Sequence, residues 1–561
     1  MSDPSDTFHM PRGQMGDQSL GAQRLMETML HLKKTIEECL RQQASKHPQR
    51  ELVLEEQGSS QAAQDQAALL SHLMCQVIGL LQSGAPGLPS PSLGSGGDVG
   101  AEQQVQSPRQ LDQPLHQLSD SESAFGTHDL STRGIATSTL FQASIRDYQS
   151  YLGDKFHKDK NTLGFINLGV SENKLCIDLM TKRLSQKDMN YIEESLLQYS
   201  DFRGQPFLRE EVARFLTYYC KAPSQLDPEN VVVLNGCCSV FSALITVLCD
   251  PGEAILTPTP FYGGLVFTSN LYANVELIHV HLDSEVTDGE TPPFQLTVGR
   301  LEQALLEAQL KGKKVRGLLL INPQNPLGDI YSLDSLKEYL EFAKRYRLHV
   351  IIDEIYMLSV FDESTTFHSV LSIKSLPDPD RTHMLWGIGK DFGISGFRLG
   401  VLYTHNKEVA SAMSAFGYVH SLCGLIQYKV CQLLQDRDWI DRVYLPTNRF
   451  RLKTAHRYVT NKLQALKIPF LKRGSGLYVW ISLKKYLNPC TFEEELLLHH
   501  RFLDNKLILS HGKSYQCKEP GWFRLNFADR HLKLAMRRFC QVLEEQKLNE
   551  PEKLTEDALR E

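Results

Sequence analysis

The chain has 561 residues and a net charge of −6, because 66 acidic residues outnumber 60 lysines and arginines. Such a near balance gives no electrostatic basis for binding nucleic acid or an anionic membrane, and no apolar run reaches the ~18 residues that a membrane span needs. The cysteines are scattered without CxxC spacing, as is typical of reduced thiols, and the first residues are polar, unlike a targeting peptide. We therefore expect a cytoplasmic protein that binds neither nucleic acid nor membrane, and no metal site is predicted.

Residues 1–127 differ in composition from the rest of the chain and are rich in glutamine, serine, glycine and proline. Apolar residues at 25–39 recur at spacings of four and three, and a second apolar helical face covers 69–81. These faces fit either a helical hairpin that binds a protein partner through residues 25–81 or two short helices in a flexible extension. The heptad pattern is short and isolated helices are marginally stable, which favours the flexible extension. The Pro/Gly/Ser-rich residues 84–121 predict a disordered linker.

From about residue 134 to 545 the sequence alternates between short apolar runs and helical segments. The predicted strands are 231–234, 254–256, 315–321, 349–352 and 384–386, and the predicted helices are 240–248 and 333–346. Continuous apolar runs separated by helices indicate an α/β fold with a mostly parallel sheet covered on both faces. Ligands of such sheets bind beyond the carboxyl ends of the strands. The residues that follow the strands are therefore the candidate site.

Several polar or reactive residues follow the predicted strands. They are Cys237, Cys238, Ser239, Tyr262, Asn325, Asp353, Tyr356 and Lys390. Each has an ordinary explanation, since Asn-Pro turns end strands, Asp353 can cap a helix and Tyr262 can lie on a rim. Together they fit one ligand, pyridoxal phosphate, whose protonated ring nitrogen pairs with a buried carboxylate such as Asp353. In that arrangement Asn325 and Tyr356 bond the ring hydroxyl, and Tyr262 stacks on the ring.

A glycine-rich stretch at 383–400 carries two cations, Lys390 and Arg398. Glycines let the backbone turn sharply and approach a ligand closely. A lysine at such a turn is a candidate amine nucleophile that forms a Schiff base with a carbonyl, although most lysines after turns are solvated surface residues. Arg398 is a candidate phosphate ligand, together with Ser239 and the backbone amides of the loop that enters the next helix.

Five motifs occur in a fixed order along the chain. They are GVSENKLC (169–176), NPQNPLG (322–328), DEIY (353–356), SGFR (395–398) and EPGWFR (519–524). In these motifs the sequence resembles the class I and II pyridoxal-phosphate aminotransferases. Within that family it is most similar to the animal 1-aminocyclopropane-1-carboxylate synthase-like proteins, in their longer form with an N-terminal extension. The similarity covers about residues 135–545.

The resemblance implies a fold type I homodimer with two active sites at its interface and a large domain that binds the cofactor. The predicted segments are a flexible extension with two short helices at 1–127, an arm with part of the small domain at 128–185, the large domain at 186–432, the C-terminal small domain at 433–545 and a disordered tail at 546–561.

The resemblance also implies roles for single residues. Lys390 matches the Schiff-base lysine, and Asp353 matches the partner of the pyridine nitrogen. Asn325 and Tyr356 match the contacts of the ring oxygen, and Arg398 matches the phosphate arginine.

Two further residues are implied to act on the substrate. Arg524 matches the arginine that binds the α-carboxylate, a role that suits the guanidinium fork. Glu172 matches a glutamate near the substrate amino group. Lys390 and Glu172 are therefore the catalytic candidates.

The sequence departs from the family pattern around the phosphate. Gly387 and Gly389 replace the two serines of a Ser-x-Ser-Lys motif, and Cys237 stands where glycine is common. Phe202 stands where a tyrosine hydroxyl would reach the phosphate in the partner subunit. The loss of up to two hydroxyl donors to the phosphate, at Gly387 and Phe202, each worth about 1.5–3 kcal/mol, predicts weaker cofactor binding. Residues 263–267 lack the arginine-rich segment of the plant synthases, which argues against cyclisation of S-adenosylmethionine.

Two functions follow from these matches and departures. The first is a pyridoxal-phosphate enzyme that acts on a small α-amino acid by transamination or β/γ-elimination, with Lys390 as the base and without synthase activity. The second is a catalytically degenerate scaffold that binds a protein partner through its extension. The weakened phosphate site favours the scaffold. The retention of six site residues favours the enzyme; they are Asn325, Asp353, Tyr356, Lys390, Arg398 and Arg524.

Overall fold

The computed structural model describes residues 130–285 and 293–548. The predicted helical faces at 25–39 and 69–81, the partner binding assigned to residues 25–81 and the predicted linker at 84–121 lie outside the described residues. Within the described residues, no helix is both long and apolar enough to cross a membrane.

The described residues form twelve strands and fourteen α-helices. The strands are β1 (Ile166–Asn167), β2 (Val231–Leu234), β3 (Ala254–Thr259), β4 (Glu276–His281), β5 (Val315–Ile321), β6 (His349–Asp353), β7 (Thr382–Gly387), β8 (Gly400–Thr404), β9 (Tyr478–Ser482), β10 (Leu507–Ile508), β11 (Ser510–His511) and β12 (Trp522–Asn526). The helices are α1 (Thr132–Gly153), α2 (Ile177–Leu184), α3 (Pro206–Tyr219), α4 (Cys237–Leu248), α5 (Gly264–Asn270), α6 (Val298–Leu310), α7 (Leu333–Arg345), α8 (Ile388–Asp391), α9 (Lys407–His420), α10 (Gly424–Gln435), α11 (Arg437–Trp439), α12 (Leu445–Ala465), α13 (Phe492–Asp504) and α14 (Leu532–Leu548).

Seven strands form one sheet in the order β2-β8-β7-β6-β5-β3-β4. Strand β8 is antiparallel to both of its neighbours, and the other pairs are parallel. The strands are apolar on both faces because successive side chains enter two different cores. In β2, for example, Val231 and Val233 pack into one cluster and Val232 and Leu234 into another. The predicted mostly parallel sheet is therefore confirmed.

The single antiparallel strand determines which residues meet at the carboxyl edge of the sheet. Gly400, the first residue of β8, pairs with Leu234 at the end of β2 and with Gly387 at the end of β7. The backbone segments meet closely here, since a Cβ on Gly400 would collide with Gly236. The residues just before β8, which include Arg398, therefore lie at the same edge as the ends of the parallel strands.

A second core surrounds the antiparallel sheet β11-β12-β9 and the short pair β1-β10. Helix α14 packs on this core through side chains such as Phe539 and Leu543. It continues to Leu548, and the side chain of Gln546 is buried and donates a hydrogen bond of 3.1 Å to the carbonyl of Tyr486. The predicted disordered tail at 546–561 is therefore wrong for its first three residues, because the helix is held by packing that local composition does not report. The other segment boundaries stay predictions.

Candidate active site

The carboxyl edge of the large sheet brings three of the predicted residues together. Asn325 follows β5, Asp353 ends β6, and Lys390 lies in α8 directly after β7. These strands are neighbours and parallel, so their ends lie side by side. From β12 of the other sheet, Arg524 donates a hydrogen bond of 2.8 Å to Oδ1 of Asn325 and so joins the same cluster.

Lys390 is held by the turn of the GVSENKLC motif, a contact that the sequence did not predict. Its Nζ donates a hydrogen bond of 2.6 Å to the carbonyl of Ser171. Asn526 fixes this turn, since its side-chain amide donates to the carbonyls of Val170 at 2.6 Å and of Glu172 at 3.1 Å. Burial lowers the pKa of the Lys390 ammonium, and the charge of Arg524 lowers it further. A larger neutral fraction of the amine makes it a better nucleophile and base.

Asp353 places a carboxyl at the end of β6, where its Oδ1 accepts a hydrogen bond of 3.2 Å from the Ile355 N–H. Burial raises the pKa of Asp353 to about 7, against smaller opposing effects from that N–H and from Lys390. The carboxyl is therefore only partly ionised at neutral pH. A cation placed beside it would favour the carboxylate, so the position is suited to a positively charged ligand atom.

This carboxyl makes the stability of the cofactor-free protein depend on pH. The pKa of Asp353 is about 7 in the folded protein against 3.8 for an ordinary aspartate, so the folded state binds more protons between these values. The free energy of unfolding therefore falls as the pH rises through this window. The substitution Asp353→Asn removes the titration and is expected to raise the free energy of unfolding by about 1–3 kcal/mol near pH 8 and by much less near pH 4.

Urea unfolding at the two pH values measures this effect. A suitable control is Asp362→Asn, because the Ser364 backbone and side-chain donors lower the pKa of that partly exposed carboxyl and its removal should give no gain at the higher pH. An equal change at both pH values for Asp353→Asn would contradict the account.

Arg524 is a buried cation, with only 2% of its surface exposed. It donates to Asn325 and to the carbonyl of Gly169, and the rings of Tyr478 and Tyr515 lie with their centroids 5.0 Å from its guanidinium carbon. Its Nε has no hydrogen-bond partner, and no carboxylate forms an ion pair with it, among the residues that the structure describes. A buried charge without a counterion is unfavourable, so this position is suited to an anionic ligand.

Arg398 lies over the start of helix α4. It follows a short 3-10 turn, has a left-handed φ of 54°, and donates 3.3 Å to the carbonyl of Ser395. Gly236, the N-cap of α4, has a φ of 120°, and a Cβ there would stand 2.5 Å from Nη2 of Arg398. The backbone conformation thus favours glycine at this position, and a Cβ would in addition displace the guanidinium. With Ser239 in the first turn of α4, this is an arrangement that binds anions.

Cys237 and Gly387 form one packing unit. The Cys237 thiol points to β7 and donates a hydrogen bond of 3.3 Å to the carbonyl of Trp386. A Cβ on Gly387 would collide with this sulfur and would stand 2.9 Å from the carbonyl oxygen of Leu399. Burial raises the pKa of the Cys237 thiol well above its usual range, so the thiol is neutral. The two departures from the family pattern are therefore coupled, and the thiol of Cys237 packs on the sheet.

Four other predicted site residues differ from one another in exposure and in hydrogen bonding. Tyr356 is buried, and its hydroxyl has no hydrogen-bond partner among the described residues. Tyr262 is 41% exposed and Cys238 is also exposed. Glu172 is half-buried, with its Oε2 3.9 Å from Nζ of Lys174. Tyr356 thus offers a free buried hydroxyl, and Glu172 a carboxylate that is only weakly paired.

Phe202 is not brought into this cluster within the chain. Its ring packs edge-to-face on Tyr418 of α9 at 5.3 Å, and its carbonyl lies against Gly417. The predicted role of this position concerns the partner subunit and stays a prediction.

Comparison with known proteins places this site in context. Residues 164–543 match the family described as aminotransferase class I and II. The chain is 65% identical over 573 aligned residues, covering 100% of both chains, to human "Probable inactive 1-aminocyclopropane-1-carboxylate synthase-like protein 2". It is 57% identical over 441 residues, 78% of this chain and 88% of the relative, to human "1-aminocyclopropane-1-carboxylate synthase-like protein 1".

A solved structure supports the architecture. The aspartate aminotransferase of Thermus thermophilus with maleate superposes with a TM-score of 0.58 at 19% identity, covering 74% of this chain and 100% of that chain. At this identity the likeness concerns the fold alone, and it confirms the predicted fold type I architecture.

Proposed function

Because the chain belongs to the aminotransferase class I and II family, within its 1-aminocyclopropane-1-carboxylate synthase-like group, we propose that it binds pyridoxal phosphate and acts on a small α-amino acid by transamination or β/γ-elimination. One observation carries this proposal. Arg398 and Arg524 have no ion-pair partner among the described residues, and both lie at the sheet edge that carries Lys390 and Asp353. Such an excess of unpaired cations is suited to a phosphate and a carboxylate.

The residues at the carboxyl edge fit the cofactor in charge and hydrogen bonding. Arg398 and the free N–H groups at the start of α4 would hold the phosphate, with Ser239 and the amides of Cys237 and Cys238 as further donors. Asp353 would pair with the ring nitrogen, which would favour its ionised form.

The ring of the cofactor has matching partners as well. The free hydroxyl of Tyr356 and the side-chain amide of Asn325 would bond the ring hydroxyl, and Tyr262 would stack on the ring from the open side. When bound, the cofactor supplies an electron-withdrawing ring that stabilises negative charge on the substrate α-carbon.

The chain's own groups account for substrate recognition and proton transfer. Arg524 would bind the α-carboxylate with the donors that the protein leaves free, since its Nε is unpaired among the described residues. Glu172 would attract the substrate ammonium group. Nζ of Lys390, oriented by the carbonyl of Ser171 at 2.6 Å, would accept the α-proton.

A spectroscopic titration tests this proposal. Addition of pyridoxal phosphate to the purified protein is expected to give a saturable visible absorbance band, and Lys390→Ala is expected to give none. Lys407→Ala is the control, because that lysine pairs with Asp227 at 3.3 Å on the surface and should leave the band unchanged. A wild-type protein without a band at saturating cofactor would contradict the proposal.

We also propose that the protein lacks synthase activity. The human relative at 65% identity carries "inactive" in its name, and residues 263–267, which lack arginine, offer no cation at the position where the plant synthases are rich in it. Incubation with S-adenosylmethionine at high protein concentration is therefore expected to release neither methylthioadenosine nor a cyclic amino acid. Release of either product would disprove this part of the proposal.

A scaffold that binds a protein partner through residues 25–81 is the second candidate. The coupling of Cys237 with Gly387 favours it, since no side-chain hydroxyl is available at 387 for a phosphate. Loss of the cofactor band in the wild type would make it the leading candidate. The homodimer and the cytoplasmic location are retained as predictions from the sequence.

A further inference from the structure

A hydroxyl, an imidazole and a carboxylate lie close together around the turn that precedes Tyr515, and none of them is assigned to the cofactor. The Oγ of Ser514 lies 3.0 Å from Nε2 of His511, and Nδ1 of the same ring lies 3.3 Å from Oε1 of Glu495. Glu495 belongs to α13, His511 ends β11, and Ser514 lies in the 3-10 turn that follows. Because the two ring nitrogens face different partners, the order is that of a nucleophile, a base and an orienting acid.

The carboxylate is fixed on both oxygens. Glu495 is fully buried, and it accepts backbone hydrogen bonds from Lys513 at 2.9 Å and from Gly521 at 2.6 Å. Its Oε1 therefore keeps a constant direction towards the imidazole. An acceptor at this point favours the tautomer with the proton on Nδ1, which leaves Nε2 free to accept the proton of the Ser514 hydroxyl.

The nucleophile is exposed on a braced loop. The carbonyl of Tyr515 accepts a hydrogen bond of 2.9 Å from the Phe261 N–H, and the carbonyl of Ser514 lies against Gly263, where a Cβ would collide with it. The Ser514 side chain nevertheless faces solvent. A purely structural role, in which Glu495 anchors the backbone of this loop, would explain why Glu495 is buried. It would not explain why an exposed serine hydroxyl lies against Nε2 of His511.

The imidazole is suited to act as a base. His499 lies behind it with ring centroids 4.8 Å apart, and that second ring is tied to Asp147 of α1 through Nε2 at 2.8 Å. Burial lowers the pKa of His511, although Glu495 partly opposes this. The ring is therefore neutral at physiological pH and can accept a proton.

We propose that Ser514, His511 and Glu495 form a second, nucleophilic site that reacts with small activated esters independently of Lys390. The Ser514 oxygen attacks the ester carbonyl carbon while its proton moves to Nε2 of His511. The bond from that carbon to the alcohol oxygen then breaks, and the alcohol leaves with the proton from His511. Water afterwards attacks the acyl group on Ser514, gives the carboxylic acid, and returns the serine hydroxyl.

A fluorophosphonate probe tests this proposal on the full-length protein, with peptide mass spectrometry to locate the label. The Ser514 oxygen bonds to phosphorus, fluoride leaves, and His511 takes the proton. Ser414 is the internal reference, because it is a partly exposed serine whose hydroxyl donates to the carbonyl of Ser411 and contacts no imidazole among the described residues. We expect Ser514 to be labelled about 100-fold faster than Ser414. This factor is the lower end of the rate enhancement that a general base typically gives.

Three variants separate the roles. His511→Asn is expected to reduce labelling of Ser514 to the rate of Ser414, Ser514→Ala to abolish it, and Lys390→Ala to leave it unchanged. Labelling of Ser514 and Ser414 at equal rates in the wild-type protein would overturn the proposal, whether or not the His511 variant folds. An undiminished rate in a folded His511→Asn protein would overturn it as well.

Discussion

Replacing Arg524 by glutamine is expected to weaken the binding of a small α-amino acid by about 10- to 150-fold, which corresponds to the loss of one hydrogen bond to a charged group. Arg524 is buried and carries an unpaired Nε among the described residues, so its charge is the natural counterion of a substrate carboxylate. Glutamine keeps a donor for Asn325 but removes the charge. The measurement is the amino-acid concentration that half-saturates the change in cofactor absorbance.

Two controls isolate the carboxylate. A primary alkylamine, which has no carboxylate, should bind equally to the wild type and to Arg524→Gln. The substitution Arg451→Gln removes a guanidinium that binds the carbonyl of Leu175 and the carboxylate of Asp178, both at 2.7 Å, and should not change amino-acid binding. Equal weakening for the amine and the amino acid would mean that Arg524 supports the cofactor instead of the substrate.

Replacing Gly387 by serine is expected to destabilise the protein by about 1–3 kcal/mol, the usual cost of overpacking. The new Cβ would collide with the sulfur of Cys237 and crowd the carbonyl of Leu399 at 2.9 Å. The same change should weaken pyridoxal phosphate binding even though it restores a hydroxyl, because the collision displaces Gly387, which precedes Lys390 and pairs with the strand that follows Arg398. Urea unfolding and cofactor titration measure the two effects.

Adding Cys237→Gly to Gly387→Ser is expected to restore part of the loss. The collision with sulfur disappears while the contact with Leu399 remains, so the two substitutions should show a coupling of about 1 kcal/mol or more. Gly389→Ser provides the control, since its Cβ would crowd Ser395 at 3.1 Å and Cys237→Gly should not relieve it. Additive effects for the pair at 237 and 387 would contradict the coupling of Cys237 with Gly387.

Much of the sheet could be predicted from the sequence. The strand at 231–234 and the strand at 315–321 have the predicted bounds, because continuous apolar runs ended by polar turns mark strands buried on both faces. The run at 254–256 was less well predicted, since β3 continues through Pro258 to Thr259 by pairing with β4 after its pairing with β5 has ended at Leu256.

The orientation of strands and the long-range contacts could not be predicted in this way. Strand β8 is antiparallel, and only this orientation places Arg398 at the cofactor edge. Ser171 and Asn526 were missed because their effect on Lys390 depends on contacts between segments that are more than 200 residues apart in the sequence. Tyr478 and Tyr515 beside Arg524 were missed because their positions depend on the pairing of β9 with β12 and on the turn that follows β11.

The departures from the family pattern needed the structure for their interpretation. From the sequence, Gly387 and Cys237 count as two separate changes at the phosphate. In the fold they occupy one space, so the sulfur at 237 excludes any side chain at 387. Phe202 stays a prediction because the contact expected of it crosses to the partner subunit.

The most direct test of the central claim is to locate the cofactor chemically. The protein is incubated with pyridoxal phosphate and reduced with borohydride, and its peptides are then analysed by mass spectrometry. The account predicts a phosphopyridoxyl group on Nζ of Lys390, at substoichiometric cofactor and ahead of exposed lysines, because the pKa of its amine is lowered. An unmodified Lys390 peptide, with the label confined to surface lysines, would contradict it.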